Sequence, residues 1–404
     1  MPDDACNSAA SGETYDAVVI GAGPSGSLAA LLLARAGHRV LQVERQRFPR
    51  AKVCGCCLNQ RAQQLLDRAG LLQGLRSLRA CPTDRLSLHS SGRRLSISMP
   101  GGLAISRRAM DQWLAETAAA AGVQFVDDCP AEVLPEDCDS EVAAQHQLPA
   151  VRRIRLDSSA GSRVISAKVV LVCDGLGHPS VASLPGFRSD PRADARIGLG
   201  AVLTTAESAN WLASGEILMV AATGGYCGAV RTEDGSVNLA AAVDAAAIQS
   251  AGGPRQCLQQ IFRDSGVPVP QELETVSLRG TVPLTRRSLR ISGPRLLLLG
   301  DAAGYVEPFT GEGMAWGLTA ATLAAPLASS GIRAGWTTAL ERQYERQLRS
   351  AVVSEQTVCR TLSWILSRPR VLQLTVAAAA LLPAVAGMLV RRVNRIPISL
   401  ESSR

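Results

Sequence analysis

Three glycines near the N-terminus, Gly21, Gly23 and Gly26, have the spacing of a phosphate-binding turn, and they follow the apolar run 17–20. The first glycine permits a tight turn, the second lets the backbone approach a pyrophosphate, and the third allows close packing of helix on strand. Phosphates would lie at the N-terminus of the next helix, where unpaired N–H groups and the helix dipole favour negative charge. The spacing predicts a dinucleotide site.

An acidic residue supports this prediction. Glu44 follows a second predicted strand, 39–43, roughly 20 residues past the glycines, where a carboxylate binds a ribose in such sites. A plain glycine-rich turn between a strand and a helix is the alternative. The dinucleotide site is favoured because strand, spacing, helix and acid all agree.

A second motif lies roughly 270 residues later, where the apolar run 296–299 continues into the Gly-Asp-Ala-Ala-Gly sequence of 300–304. Pro308 and the Gly-Glu-Gly turn of 311–313 come next. Asp301 at such a position is either an ordinary helix N-cap or an acceptor for a ligand hydroxyl. The two motifs, in this order and at this separation, predict a two-domain nucleotide-cofactor enzyme.

Two sequence patterns along the chain predict the strands and helices that position these motifs. Buried strands are predicted at 17–20, 39–43, 123–126 and 169–172, with helices at 27–35 and 105–122, which is an α/β pattern. From about 190 to 279 the chain instead predicts an inserted antiparallel sheet. Its predicted strands are 198–204, 216–221, 226–232 and 236–242, with a turn at 233–235.

Composition excludes other classes. The net charge is +7, and nearly all of the basic residues are arginines. Only 3% of residues are aromatic, so nucleic acid is not an expected partner. The eleven cysteines are mostly scattered, which favours reduced thiols, and the cluster at 54–57 has no second ligand pair to complete a metal site. Residues 1–14 lack the features of a secretory signal, so we expect a cytoplasmic protein.

The uncharged segment 371–390 allows three interpretations. It is long enough to span a bilayer and is flanked by arginines, but it is rich in alanine, contains Pro383 and has one apolar helical face. A packed helix is favoured over a membrane-surface helix, and both are favoured over a span. A surface helix would give a peripheral membrane contact suited to a lipophilic substrate.

Together these motifs resemble the glutathione-reductase-type flavoproteins that include geranylgeranyl reductases and aromatic hydroxylases. The resemblance covers roughly residues 14–345. It implies a Rossmann-like FAD-binding domain formed by 14–189 and 280–345, with an antiparallel substrate-binding sheet inserted at 190–279. Residues 346–404 would form a C-terminal helical segment.

The resemblance also implies roles in FAD binding. Glu44 would bind the adenosine ribose, Arg107 the phosphate or ribityl region, and Asp301 a ribityl hydroxyl. Asp174 would either contact the cofactor or simply end a strand in a turn. A helix N-terminus would face the flavin pyrimidine edge, where its dipole stabilises negative charge on the reduced ring. The residues at that helix N-terminus are Gly311, Gly313 and Met314.

Two residues are candidates for catalysis. The sequence around Cys54 is similar to the Cys-Gly element that geranylgeranyl-reductase-like members place beside the flavin ring, so Cys54 would orient substrate or take part in proton delivery. A small structural residue is the alternative. Tyr226, on the inserted sheet, would either bind substrate or pack. Cys56 and Cys57, and the lack of Trp and Pro in 225–231, depart from the isoprenoid reductases.

We therefore expect an FAD-dependent oxidoreductase acting on a lipophilic or aromatic small molecule, by hydride transfer from flavin N5 to an activated double bond. One alternative is a monooxygenase that hydroxylates an aromatic or polyketide-like substrate. Another is a non-catalytic electron-transfer or redox-sensing flavin module. No second dinucleotide motif is apparent, so either NAD(P)H binds transiently or a separate reductase supplies electrons.

Overall fold

The computed structural model describes residues 13–135, 151–307 and 311–366. The predicted loop at 135–149 and the segment 371–390 lie outside these residues, apart from Pro135. The first half of the described chain alternates strands and helices. In order these are β1 Thr14–Ile20, α1 Pro24–Arg35, β2 Val40–Val43, β3 Cys57–Leu58, α2 Gln60–Arg68, α3 Leu72–Ser77, β4 Cys81–Ser90, β5 Arg93–Ala104, α4 Arg107–Ala120, β6 Gln124–Val126, β7 Ala131–Val133, β8 Arg152–Ser158 and β9 Gly161–Val172.

The second half is rich in strands until it ends in two long helices. In order the elements are β10 Ser189–Pro191, β11 Ile197–Leu203, α5 Ala206–Trp211, β12 Glu216–Ala222, β13 Gly225–Arg231, β14 Val237–Val243, α6 Ala245–Ser250, α7 Pro254–Ser265, β15 Arg279–Pro283, β16 Arg286–Ser288, β17 Ser292–Gly293, β18 Leu296–Leu298, α8 Gly313–Ala334 and α9 Thr338–Leu366. Short 3₁₀ turns occur at Pro179–Val181, Gln271–Glu274 and Gly300–Ala303.

The first sheet has the predicted Rossmann-like core. Its main path is β17-β18-β9-β1-β2-β6, and β1 pairs in parallel with β2 on one side and β9 on the other. Ala17 on this central strand is in register with Val40 on β2 and with Val169 on β9. Residues on both faces of β1 are buried, which explains why the sequence of this strand is a continuous apolar run.

The second sheet is mostly antiparallel, in the order β15-β11-β14-β13-β12-β4-β5-β3. Its strands β11 to β14 match the predicted ones to within one residue at each end, and the predicted turn joins β13 to β14. Strands β3, β4 and β5 come from residues 57–104, so the sheet also recruits chain from outside 190–279. The α/β fold class is confirmed, while the exact domain division stays a prediction.

The C-terminal helices are tied to the first half of the chain by packing and by one buried charge. Arg61 on α2 is fully buried, and its guanidinium donates to Thr319 Oγ1 on α8 at 2.9 Å and to the Ala351 carbonyl on α9 at 3.3 Å. Within the described residues, no helix has the length and apolarity needed to cross a membrane.

The turn between β1 and α1 allows a stability prediction. A Cβ on Gly26 would lie 2.0 Å from the Gly21 carbonyl oxygen, which is backbone and cannot move aside cheaply. Gly26→Ala should therefore lower the free energy of unfolding by about 3 kcal/mol, the upper end of overpacking costs. Chemical denaturation measures this. Gly280→Ala is the matched control, since no atom of the described residues beyond its chain neighbours lies within 4 Å of the new Cβ. An equal loss there would contradict the explanation.

Candidate active site

A cavity lies where the carboxyl ends of the parallel strands face the second sheet. Both glycine motifs and the Cys54 segment contribute to its wall, together with strands of the antiparallel sheet. This edge of a parallel sheet is where ligands bind in open α/β folds. The predicted site residues that line it are Gly23, Cys54, Arg107, Tyr226, Asp301, Gly311, Gly313 and Met314.

The three glycines of the first motif have the distinct environments that their proposed roles require. Gly21 has φ +105°, and a Cβ there would lie 2.3 Å from the Cys173 carbonyl oxygen. Gly26 packs against Gly21 in the same way, so both positions need glycine for the fold. At Gly23 a Cβ would meet only two guanidinium groups, of Arg107 at 3.4 Å and Arg50 at 3.8 Å. The open space beside Gly23 therefore faces positive charge.

A buried charge cluster holds these two arginines. Arg107 donates two hydrogen bonds to the Asp111 carboxylate, at 2.8 and 2.7 Å, one helical turn away on α4. Arg50 contacts Asp111 at 2.9 Å and Glu44 at 3.2 Å. Since the four side chains are nearly fully buried, the geometry of each guanidinium is fixed by its carboxylate partners.

These features fit the diphosphate part of FAD. The N-cap of α1 is Gly23, and no side chain of the described residues caps this helix, so its N-terminus offers backbone N–H groups beside two guanidiniums. The Glu44 carboxylate accepts a hydrogen bond from Ala22 N at 3.0 Å, which places it at the same turn. The sequence motifs did not single out Arg50. The available hint was its position as a basic residue soon after β2 and Glu44.

The second motif brings Asp301 to the same cavity. Asp301 lies in the 3₁₀ turn Gly300–Ala303, and its carboxylate contacts the Lys52 ammonium at 3.1 Å. Both side chains are partly exposed, so a ligand hydroxyl can reach the carboxylate. Gly311, Gly313 and Met314 line the cavity at the N-terminus of α8, where Cys57 Cβ would lie 3.4 Å from a Cβ on Gly311.

Asp174 has a different environment. Its neighbours Cys173 and Gly175 line the cavity, but one oxygen of the Asp174 carboxylate accepts a hydrogen bond from Ser180 N at 2.9 Å. Burial raises the pKa of this carboxyl group. The geometry fits the turn-forming alternative, and a cofactor role for Asp174 stays a prediction.

Cys54 lies at the cavity wall with its sulfur in a polar setting. Cys56 N donates to Cys54 Sγ at 3.4 Å. A hydrogen bond from the Cys56 thiol, together with the positive charge of Arg107, lowers the pKa of Cys54 to about 5 against the opposing effect of burial. The same coupling and burial raise the pKa of Cys56, and burial raises that of Cys57 to about 12. The three thiols therefore differ, and of these three only Cys54 is favoured as a thiolate.

Tyr226 lies on β13 and faces the cavity within a second charged cluster. Burial raises the pKa of its phenol, and a hydrogen bond to the Glu307 carboxylate accompanies it. Arg196 donates to Glu307 Oε1 at 2.9 Å, and its guanidinium lies 5.7 Å from the Tyr226 ring centre. Sequence analysis missed Glu307 and Arg196 because their partners are distant in the chain. The position just before Pro308 was the available signal for Glu307.

The described residues contain no group of three or more His, Cys, Asp or Glu side chains placed to hold a metal ion. Cys54, Cys56 and Cys57 are free thiols.

Comparison with known proteins gives a family match and several relatives. Residues 14–357 match the FAD binding domain family. The menaquinone reductase of Mycolicibacterium smegmatis is 28% identical over 385 residues, covering 89% of this chain and 86% of that protein. Digeranylgeranylglycerophospholipid reductase 2 of Methanopyrus kandleri is 24% identical over 344 residues, covering 82% of each chain.

Solved structures share the fold at low identity. The flavin-dependent brominase Bmp2 superimposes with a TM-score of 0.71 at 15% identity, covering 97% of this chain and 96% of that one. Pseudomonas aeruginosa PqsL in complex with 2-aminobenzoylacetate superimposes with a TM-score of 0.68 at 19% identity, covering 89% and 98%. These similarities establish the architecture of both sheets.

The environment of Gly23 predicts how cofactor binding can be separated from folding. Gly23→Val places methyl groups where the diphosphate would lie but meets only guanidinium groups at the ends of long side chains, so the protein should fold and lose FAD. Absorbance measures FAD content, and a melt of the FAD-free protein measures folding. Gly26→Ala should lower both. A Gly23→Val protein with full FAD content would contradict the assignment.

The pKa differences among the thiols predict selective alkylation. Because the thiolate is the nucleophile, iodoacetamide should modify Cys54 at pH 7 and leave Cys57 largely unmodified. The rate at Cys54 should fall only as the pH drops through about 5. Peptide mass spectrometry after timed labelling measures both rates. A rate at Cys54 that instead falls near the ordinary cysteine pKa of about 8.5 would contradict this electrostatic setting.

Proposed function

Because this chain belongs to the FAD binding domain family and is an FAD-dependent oxidoreductase, we propose that it reduces a carbon–carbon double bond in a lipophilic substrate. The observation that carries this proposal is the cavity shared by the diphosphate turn, the Cys54 thiol and the Tyr226 phenol. A cofactor bound along the two glycine motifs would share that cavity with the substrate.

The walls of the cavity support a lipophilic substrate. The second sheet contributes apolar side chains above the glycine motifs, and pockets of this composition bind ligands by burying apolar surface. Two of the similar proteins, by their names, act on menaquinone and on a digeranylgeranylglycerophospholipid. Large apolar residues in this lining include Leu86, Met99, Ile217, Met219 and Leu284.

Reduction of a double bond needs a hydride for one carbon and a proton for the other. Bound FAD, when reduced, would supply the hydride. With its pKa lowered to about 5, Cys54 carries no proton at neutral pH, so we assign it an orienting role. Tyr226 retains its proton because burial raises its pKa, and it is the member of this pair that can donate one.

The residues that hold FAD in this proposal come from both motifs. Gly21 and Gly26 shape the turn, Gly23 gives access to the diphosphate, and the guanidinium groups of Arg50 and Arg107 lie beside Gly23, where they can donate hydrogen bonds to the diphosphate. The Glu44 carboxylate would bind the adenosine ribose and the Asp301 carboxylate a ribityl hydroxyl. The N-terminus of α8 would face the flavin ring. NAD(P)H or a separate reductase would supply electrons.

The product distinguishes this proposal from oxygenation. Dithionite-reduced holoenzyme, incubated without oxygen with a menaquinone that carries an unsaturated side chain, should reduce a side-chain double bond. Because dithionite also reduces the quinone ring, the extracted lipid is reoxidised in air before analysis, and its side chain should then be two mass units heavier. Mass spectrometry of the extracted lipid measures this. Reduced holoenzyme that has been freed of dithionite and mixed with the same lipid under ¹⁸O₂ should show no labelled oxygen in the product. Incorporation of ¹⁸O would establish the monooxygenase alternative, and no product in either case would favour an electron-transfer module.

Replacement of Cys54 tests its role at the reacting face. Cys54→Ala should leave FAD content and melting temperature nearly unchanged while lowering turnover or changing the product distribution. Cys56→Ala and Cys57→Ala are the controls, and they should keep most of the activity. A purely structural cysteine would instead cost about 1 kcal/mol of stability with turnover intact. Full activity of Cys54→Ala would remove the main support for the reductase proposal.

A further inference from the structure

Glu307 is a buried carboxylate in the wall of an otherwise apolar part of the cavity. Its side chain is 4% exposed, and Arg196, at 5%, contacts it at 2.9 Å. A buried carboxylate is costly unless it is paired, and Glu307 lines the space that the proposed substrate would fill. The position is therefore suited to recognising a polar group of the substrate.

The charges around Glu307 determine which kind of polar substrate group can bind there. Arg196 is shared between Glu307 and Asp244, which it contacts at 3.1 Å, so one positive charge faces two negative ones. Tyr226 and Tyr305 have raised pKa values through burial and stay neutral. Of the other charged groups on the cavity wall, Lys52 is paired with Asp301 and Arg107 with Asp111. This end of the cavity therefore disfavours an anion.

A carboxylate is an acceptor only, so its ligand must bring a hydrogen-bond donor. Arg196 and the Tyr226 phenol use part of the acceptor capacity of Glu307, which a carboxylate has at about four lone-pair positions. A neutral hydroxyl satisfies the remaining capacity without adding negative charge. A phosphate, a carboxylate or a methyl ether does not.

We propose that Glu307, held by Arg196, determines specificity by accepting a hydrogen bond from a neutral hydroxyl of a lipophilic substrate. The inference rests on the proposed function for the location of the substrate cavity. It narrows the substrate class to apolar molecules that carry a phenol or alcohol group, which a menaquinone has only in its quinol form, and it excludes anionic lipids.

The test compares three ligands that share one ring system. Equilibrium dialysis with the oxidised holoenzyme at pH 7 measures the dissociation constants of 1-naphthol, 1-methoxynaphthalene and 1-naphthyl phosphate. We expect 1-naphthol to bind at least about tenfold more tightly than the other two, since only it donates to the carboxylate without a negative charge. Equal binding of naphthol and its ether, or no binding of any of the three, overturns the proposal.

Variants assign the preference to Glu307. Glu307→Leu should abolish the preference for naphthol over its ether, and Glu307→Gln should strengthen binding of the phosphate relative to the wild-type protein. Glu207→Gln, which changes an exposed glutamate on α5, should leave all three constants unchanged. FAD content, measured for every variant, shows that the fold is kept. A naphthol preference that survives in FAD-loaded Glu307→Leu overturns the proposal.

These measurements need no turnover, so they separate this inference from the proposed reaction. If the protein prefers naphthol through Glu307 but reduces no double bond, the proposed role of Glu307 stands and the proposed reaction is wrong. If the protein reduces the menaquinone side chain but binds naphthol and its ether equally, the proposed reaction stands and the proposed role of Glu307 is wrong.

Discussion

The close contact between Gly21 and Gly26 is the constraint on which the rest of the site depends. With no side chain on either residue, α1 begins directly against the end of β1 and against the Cys173 backbone that follows β9. This contact aims the helix N-terminus at the cavity and leaves the space at Gly23 open. A larger residue at either packed position would displace the helix, and with it the backbone N–H groups that favour an anion.

Around that turn the fold buries charges that need one another. Arg50 and Arg107 share Asp111, and Arg50 also contacts Glu44, so two guanidinium groups are held by two carboxylates where water is largely excluded. Buried ion pairs add little net stability because desolvation offsets their attraction. Their value here is positional, since the guanidiniums are already in place beside Gly23 before a ligand binds.

The junction between the two sheets determines what else the cavity can do. The segment that carries Cys54 crosses this junction, and Asn238 on β14 donates to the Cys54 carbonyl at 2.8 Å, which ties the segment to the second sheet. The thiol is thereby held near Arg107 while Tyr226, Glu307 and Arg196 gather at another part of the wall. One cavity thus combines an anion-binding region with an apolar region that has an acidic anchor.

The sequence by itself determined the local elements and the two glycine motifs, because strand periodicity, turn glycines and helix caps depend on neighbouring residues. It therefore indicated that the three glycines Gly21, Gly23 and Gly26 lie where β1 meets α1, that Glu44 follows β2 and that Asp301 follows β18. Tertiary structure alone decided which distant groups meet. Arg50, soon after β2, joins Asp111 on α4, Arg196 joins Glu307 across 111 positions, and β4 and β5 join a sheet predicted to begin much later. Such pairings, and the distinct pKa values of the three clustered thiols, depend on burial and on charges brought together by folding, which no local pattern encodes.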